Sequence, residues 1–428
     1  MGMKKTEIGM IPEDWDVQRF EDTFRILNNN TYSRAELNYA SGQFRNIHYG
    51  DVLILFSEVL DCTRGDVPYI NDDVRISGSA QPLQDGDVVM ADTAEDETVG
   101  KVTEVTNTSD KPVMAGLHTI PCRVKFGEFV PKWLGYYMNS HLYHDQLLPY
   151  IHGTKVSSVS KGSLGDTVII VPKASEQKRI VDALSDVDAL ISNLQKLIRK
   201  KKDVRQGTMQ ILVTGKKRLD GYSDKWESTT INSLCKLITK QTGFDYSAEI
   251  KPSLVNEAQI GTLPFIQNKD FECFDINYNT DFFIPHDIAV KYPKILLDEV
   301  CLLISISGRI GNVAKFDNRF KAFAGGAVGI AKFYDPTLVD WCMLYLQSSA
   351  GQEQIFSHEK VGAQHNLTVE DVRRLEIKLP KKPEREEIVG IIGDINSEIR
   401  KLEEKLSKYQ KVKQGMMDEL LIGKVRLV

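Results

Sequence analysis

The side chains in this sequence best placed to do chemistry are hydrogen-bonding groups beside turns. In the first half they are Arg45, His48, Lys101, His118, Arg123 and Lys155; in the second they are Lys240, Gln241, Gln267, Asn268, Lys269, Arg309, Arg319, Gln364, His365 and Asn366. Such groups read base edges in a DNA groove, Arg and Lys by donating to guanine, Asn and Gln by bonding adenine at two points. The histidines serve equally well as satisfied core residues. Covalent or metal chemistry has little to stand on. The chain has no GxxxxGK[ST] phosphate loop, no GxGxxG, no HExxH and no GxSxG, and His358-Glu359 lacks a second histidine four residues on. Gly325-Gly326-Ala327-Val328-Gly329 lacks the spacing of a phosphate cradle and reads as close backbone packing. An acidic loop (Asp92, Glu95, Asp96, Glu97) with Lys101 nearby has the composition of a metal-dependent nuclease site. The second half carries Ser305, Ser307, Gly308 and Arg309 in its place, so a hydrogen-bonding loop or a solvated turn is the expectation. No catalytic, cofactor-binding or metal-ligating residue is expected.

Composition fits that reading. The 428 residues are 42 % hydrophobic and 26 % charged, ordinary for a globular chain of two or three domains. Six cysteines (Cys62, Cys122, Cys235, Cys273, Cys301, Cys342) form no CxxC pair, so buried free thiols are expected. No apolar run is long enough to span a bilayer and the first residues lack a signal-peptide core, which predicts a cytoplasmic protein. The net charge of −5 is uneven: 173–219 carries +7 and 381–427 carries +2, leaving −14 on the rest. A basic run such as Arg199-Lys200-Lys201-Lys202 is usually a solvated helix face. Globular parts that touch DNA must therefore do so through local patches.

These side chains are positioned by a repeat. Residues 171–219 return, without a gap, as 379–427 at a constant offset of 208: Pro172 falls on Pro380, Glu176 on Glu384, and Gly215-Lys216-x-Arg218-Leu219 on Gly423-Lys424-x-Arg426-Leu427. Within each copy apolar residues are spaced four, three, four, three. The seam reads Ile180, Leu184, Val187, Ile191, Leu194, Ile198, then Ile388, Ile392, Ile395, Ile399, Leu402, Leu406. A strict seven-residue period belongs to a coiled coil, and the two helices are each other's natural partners. A helix over 175–212 would be about 57 Å long at 1.5 Å per residue.

Each long helix follows a globular block, and each block opens alike. Ile11-Pro12-Glu13-Asp14-Trp15 precedes Val17, Phe20, Phe24 and Leu27 at helical spacing; Tyr222-Ser223-Asp224-Lys225-Trp226 precedes Ile231, Leu234, Leu237 and Ile238. Strands are predicted at 51–56, 88–91 and 101–105 in the first block, and at 300–306 and 313–316 in the second. Further echoes pair Gly65-Asp66-Val67-Pro68-Tyr69-Ile70 with Gly261-Thr262-Leu263-Pro264-Phe265-Ile266, and Ala115-Gly116 with Ala324-Gly325. Read as a ring, the sequence is two units joined head to tail, with its ends expected near each other. The loops of the two blocks differ almost completely, as in one scaffold that reads two different things.

This arrangement resembles the specificity subunit of type I restriction-modification systems: an Ile-Pro-x-x-Trp opening, a variable block, a strand ending in Pro, Glu176-Gln177-Lys178-Arg179-Ile180 leading a long helix, and all of it repeated. The second copy departs as Glu384-Arg385-Glu386-Glu387-Ile388. The resemblance implies an α+β fold with two mixed α/β target-recognition domains separated by a long antiparallel two-helix coiled coil with pseudo-two-fold repetition. The domains would fall at 1–172 and 216–380 and the spacer helices at 173–215 and 381–428. It implies that each domain reads one half of a bipartite sequence in double-stranded DNA and that the helices set the unread spacer. Two methyltransferase subunits would dock on the chain and restriction or motor subunits would join them, with no membrane involved. S-adenosylmethionine, ATP and Mg²⁺ would sit on those partners. The alternatives are a coiled-coil protein scaffold without DNA readout, and a self-contained nuclease.

Overall fold

The computed structural model describes residues 2–427 apart from 77, 79, 80, 126, 128, 154, 155, 273 and 358–365. The chain divides into two compact units, Met1–Gln195 with Glu404–Val428, and Lys196–Glu403.

In the first unit the strands that matter are β1 (Phe24–Ile26), β2 (Arg45–Ile47), β3 (Val59–Asp61), β4 (Val88–Ala91), β5 (Val102–Thr106), β6 (Val113–Ala115) and β7 (Thr119–Val124). Five of them make one sheet in the order β1-β7-β4-β5-β3, while β6 and β2 pair in parallel in a second sheet. An unbroken apolar strand such as β4 needs cover on both faces. It has it, because alternate side chains point to opposite faces: Val88 and Met90 enter one core, Val89 and Ala91 another.

The second unit repeats the plan with β8 (Cys235–Lys240), β9 (Thr262–Ile266), β10 (Cys301–Ser305), β11 (Val313–Phe316), β12 (Ala322–Ala324) and β13 (Val328–Phe333). Its main sheet runs β8-β13-β10-β11, and β9 lies parallel to β12. Along β10, Leu302 and Ile304 join one core while Cys301 and Leu303 join the other.

Three sequence readings need correction. Residues 51–56 are not a strand: Tyr49–Ile54 is a helix whose N-cap, His48, accepts from Gly50 N, and Asp51 is held by Arg34. The two block openings are not continuous helices either. In each, a four-residue helix (Phe20–Thr23, Ile231–Leu234) joins two strands, and the first strand pairs antiparallel with the one that leaves the block, Asp16–Arg19 with Val168–Val171 and Glu227–Thr230 with Glu376–Leu379. Apolar residues three and four apart therefore straddled a strand, a single helical turn and a strand. Lastly, the counterpart of Phe265-Ile266 is Asn46-Ile47, not Tyr69-Ile70. Gly116 N donates to Ile47 O and Gly325 N to Ile266 O, both at 2.8 Å, which fixes that register. The Ala-Gly echo stands on the same bonds.

The long helices run uninterrupted over Ala174–Leu212 and Lys382–Leu420, 39 residues each. Gly215 (φ 72°) and Gly423 (φ 71°) follow them in the left-handed conformation that ends helices at little cost for glycine. In the first unit Ile180, Val181 and Leu184 share a core with Met417, Leu420 and Leu421, and Lys413 Nζ lies 2.7 Å from Asp188 Oδ1. In the second, Met209 and Leu212 share a core with Ile388 and Ile392. There Lys201 Nζ meets Glu398 at 2.8 Å and Arg205 Nη1 meets Asn396 at 2.9 Å. One number rises as its partner falls, so the helix segments of this unit run antiparallel. Of the seam, Ile180, Leu184, Leu194, Ile198, Ile388, Ile392 and Ile399 are buried; Val187, Ile191, Ile395, Leu402 and Leu406 are half-buried.

An arginine just past each long helix ties a unit together. Arg426 bonds Glu176 (2.6 and 2.8 Å) and Asp14 (3.0 and 2.9 Å), and Trp15 Nε1 donates to Glu176 at 2.9 Å. Arg218 bonds Glu384 at 2.5 and 2.7 Å, and Trp226 Nε1 donates to Glu384 at 3.1 Å. The repeated Glu, Arg and Trp of the sequence are thus one interaction made twice.

Candidate nucleic-acid interface

Strand register decides which side chains can act together. In the first unit, β4 and β7 end side by side at Ala91 and Thr119, which brings the turn residues Asp92 and His118 together. Asp92 N donates to His118 O at 3.1 Å, His118 takes φ 54°, and its Nδ1 lies 3.4 Å from Asp92 Oδ1. The Tyr49 ring stands edge-on to His118 at 5.3 Å and 4.7 Å from His48. Arg34 completes the group with a two-point bond to Asp51 (2.8 and 2.9 Å), Nη1 3.3 Å from Tyr39 Oη and Nη2 3.5 Å from His48 Nδ1. Burial, and then the Arg34 charge, push the His48 pKa down, so its ring is neutral near pH 7. Arg34 is 46 % exposed and Tyr39 52 % exposed. Neither stood among the sequence candidates, because their partners lie up to seventeen residues away in a pattern without period.

Two first-unit candidates are bonded within the fold. Arg45 is 5 % exposed, and its guanidinium donates to Arg64 O, Val67 O and Tyr69 Oη. Arg123 lies toward the far end of β7 from His118, where it bonds Asp87 (2.8 and 2.6 Å) and Pro82 O. Both hold the fold. Lys101 Nζ donates to Leu53 O at 2.9 Å, and burial lowers its pKa. In the acidic loop, Asp96 accepts from the backbone and hydroxyl of Thr98, which closes its own turn. Lys155 lies outside the described residues.

In the second unit most candidates converge at one end of the main sheet. Lys240 pairs with Gly329, and Val328 with Ser305, so the segments leaving β8, β10 and β12 meet there. Ile306 N donates to Ala327 O, Asn268 Nδ2 donates to Ser307 O at 2.8 Å, and Ser307 bridges Asn366. Lys240, Gln241, Gln267, Asn268, Arg309 and Asn366 thus share one loop cluster, with Lys240 and Arg309 exposed. Lys269 is paired with Asp281. Arg319 is at the opposite end of β11, 2.6 Å from Asp317 and over the Tyr278 ring. Gln364 and His365 lie outside the described residues.

Five cysteines, Cys62, Cys122, Cys235, Cys301 and Cys342, are buried free thiols; Cys273 lies outside the described residues. Burial pushes the Cys62 and Cys301 thiols up to about 12, which leaves them unreactive near neutral pH. Among the described residues no group of three or more His, Cys, Asp or Glu could hold a metal, and no helix is long and apolar enough to cross a membrane.

A family profile described as type I restriction modification DNA specificity domain matches residues 12–201 and again 223–411. The chain is 24 % identical over 445 residues to the MjaX type I restriction enzyme specificity subunit of Methanocaldococcus jannaschii, covering 99 % of this chain and 96 % of that one. It is 24 % identical over 294 residues to the MjaVIII specificity subunit of the same organism, covering 64 % and 66 %. Among solved structures it is similar in fold to a chain from a type I R-M system (TM-score 0.56, 16 % identity, 97 % and 99 % covered). A second similar structure is the type I restriction-modification S subunit of M. genitalium (TM-score 0.53, 12 % identity, 96 % of each).

Proposed function

The chain belongs to the family of type I restriction-modification DNA specificity domains, the non-catalytic DNA-recognition components of those systems, and from that premise we propose how it reads its target. Each unit reads one half of a bipartite sequence in double-stranded DNA. The paired long helices set the unread spacer and dock two methyltransferase subunits, and restriction subunits join that complex. S-adenosylmethionine, ATP and Mg²⁺ act on those partners.

One observation carries the reading: the same four-strand order and the same parallel strand pair occur in both units, and the sheet ends that correspond carry different side chains. The first presents Arg34, Tyr39 and His118; the second presents Lys240, Asn268 and Arg309. A shared scaffold with unlike loops is what an asymmetric two-part target demands, since bases are told apart by side chains and not by fold. Charge agrees with this. A chain of net −5 gains little from the phosphate term that dominates nonspecific affinity, so basic partner surfaces would supply it.

The test is a block exchange. Residues 28–172 are replaced by the corresponding block of another specificity subunit, and methylated adenines are mapped with the methyltransferase subunits present. One half of the methylated sequence should change while the other half and the spacer stay. A change in both halves, or in neither, would overturn the division of labour.

A further inference from the structure

In the second unit, a cavity of about 490 Å³ is lined by Lys240, Gln241, Thr242, Gly243, Tyr246 and Gly326. Gln241 is 3 % exposed, and neither its Nε2 nor its Oε1 has a hydrogen-bond partner among the described residues. Buried amides are almost always bonded, so a carboxamide with both ends unpaired among the described residues is one that an incoming group can bond. Gly326 belongs to the same wall: a Cβ there would meet Gln241 Oε1 at 3.3 Å, and the glycine leaves that oxygen uncrowded.

The first unit has a buried amide that is bonded at both ends, Asn30, whose Oδ1 accepts from Tyr32 N, although Asn46 Nδ2 beside it has no partner among the described residues. Asn30 leaves the corresponding edge strand and donates through Nδ2 to Asn46 Oδ1 at 2.7 Å. By the register fixed above, the residue in the place of Asn46 is Phe265, whose ring accepts no such bond. Among the described residues of the second unit, no side chain plays that part for Gln241.

A carboxamide offers one donor and one acceptor side by side. Among base edges, adenine offers the match, N6 donating and N7 accepting. The exposed Lys240 beside it suits a phosphate, and Tyr246 gives the cavity an aromatic side. We propose that Gln241 is a specificity-determining residue that reads one adenine in the half-target of the second unit, inside the cavity bounded by Gly326 and Tyr246. This rests on the DNA reading proposed above.

The experiment uses the full chain with its methyltransferase subunits, offered a library of randomised duplexes and scored by which are methylated. Enrichment of a two-part sequence by the unaltered chain is the reference, and its absence would sink the DNA reading itself. Given that reference, Gln241→Met should lower discrimination at a single A·T pair roughly tenfold or more and leave the other half-target unchanged. Gln241→Glu should shift preference at that pair toward cytosine, whose N4 donates to a carboxylate. Unchanged preference at every position, or an equal loss on all sequences with the melting temperature preserved, would overturn the proposal. If Gln241→Met unfolds the chain, the near-isosteric Gln241→Glu decides alone. Unfolding of both variants would assign the amide to the core and overturn it as well.

Discussion

Each unit is tied by an arginine bonded to a buried glutamate, and Arg426 shows what such a pair does. Its guanidinium joins Glu176 at the start of the first long helix to Asp14 in the block opening, with Glu176 3 % exposed. Both carboxylates raise the Arg426 pKa further, and Arg426 lowers that of Asp14. Removing one partner of a buried pair strands the other, which costs more than the pair was worth. Arg426→Met should therefore lower the unfolding free energy of the chain by about 3 kcal/mol, read by urea unfolding. Adding Glu176→Gln should recover part of that loss, as a coupling of roughly 1–2 kcal/mol in a double-mutant cycle. A cycle that closes at zero would mean the two groups do not depend on each other.

At the scale of elements, the long helices obey the seven-residue period unevenly. Ile399 is 3 % exposed, whereas Ile191 is half-buried. Placing a charge where no partner exists is costly in proportion to burial. Ile399→Asp should thus destabilise the chain by about 3 kcal/mol or more and Ile191→Asp by clearly less, both read by thermal melting. Ile399→Asp should also abolish co-elution with methyltransferase subunits on sizing chromatography, if the paired helices are where those subunits dock. Equal effects of the two substitutions would place the packing seam elsewhere on the helix. Sheet elements follow a simpler rule: strands such as β4 and β10 divide their side chains between two cores, which is why they read as unbroken apolar runs.

At the scale of the molecule, the chain closes on itself within the first unit. Arg426 bonds Asp14, and Arg179 Nη1 donates to Leu427 O at 2.9 Å. The link between the repeats, by contrast, is exposed at Gly221, which sits at φ 86°. A circular permutant that joins residue 427 to residue 4 through a short flexible linker and opens at Gly221 should keep the fold, with a melting temperature within a few degrees of the parent. Circular dichroism and calorimetry would check it, and a molten product would show that the chain order matters beyond these contacts.

The sequence by itself determined the periodic and the repeated. A helix seam and an alternating strand are one-dimensional patterns, so the two long helices, the strands at 88–91 and 313–316, and the duplication at an offset of 208 could be read directly, although the helices end at Leu212 and Leu420 and not at the expected 215 and 428. The candidate site was legible only in part. Side-chain type marks Arg45, Arg123, Arg309 and Gln241 alike as able to bond a base. Only tertiary packing shows that Arg45 and Arg123 are already bonded inside the fold, that Arg34 belongs to a cluster with Asp51 and His48, and that Gln241 has no partner among the described residues. Hydrogen bonds close over separations set by strand register, and register is fixed by pairing between distant segments. No spacing along the chain records it.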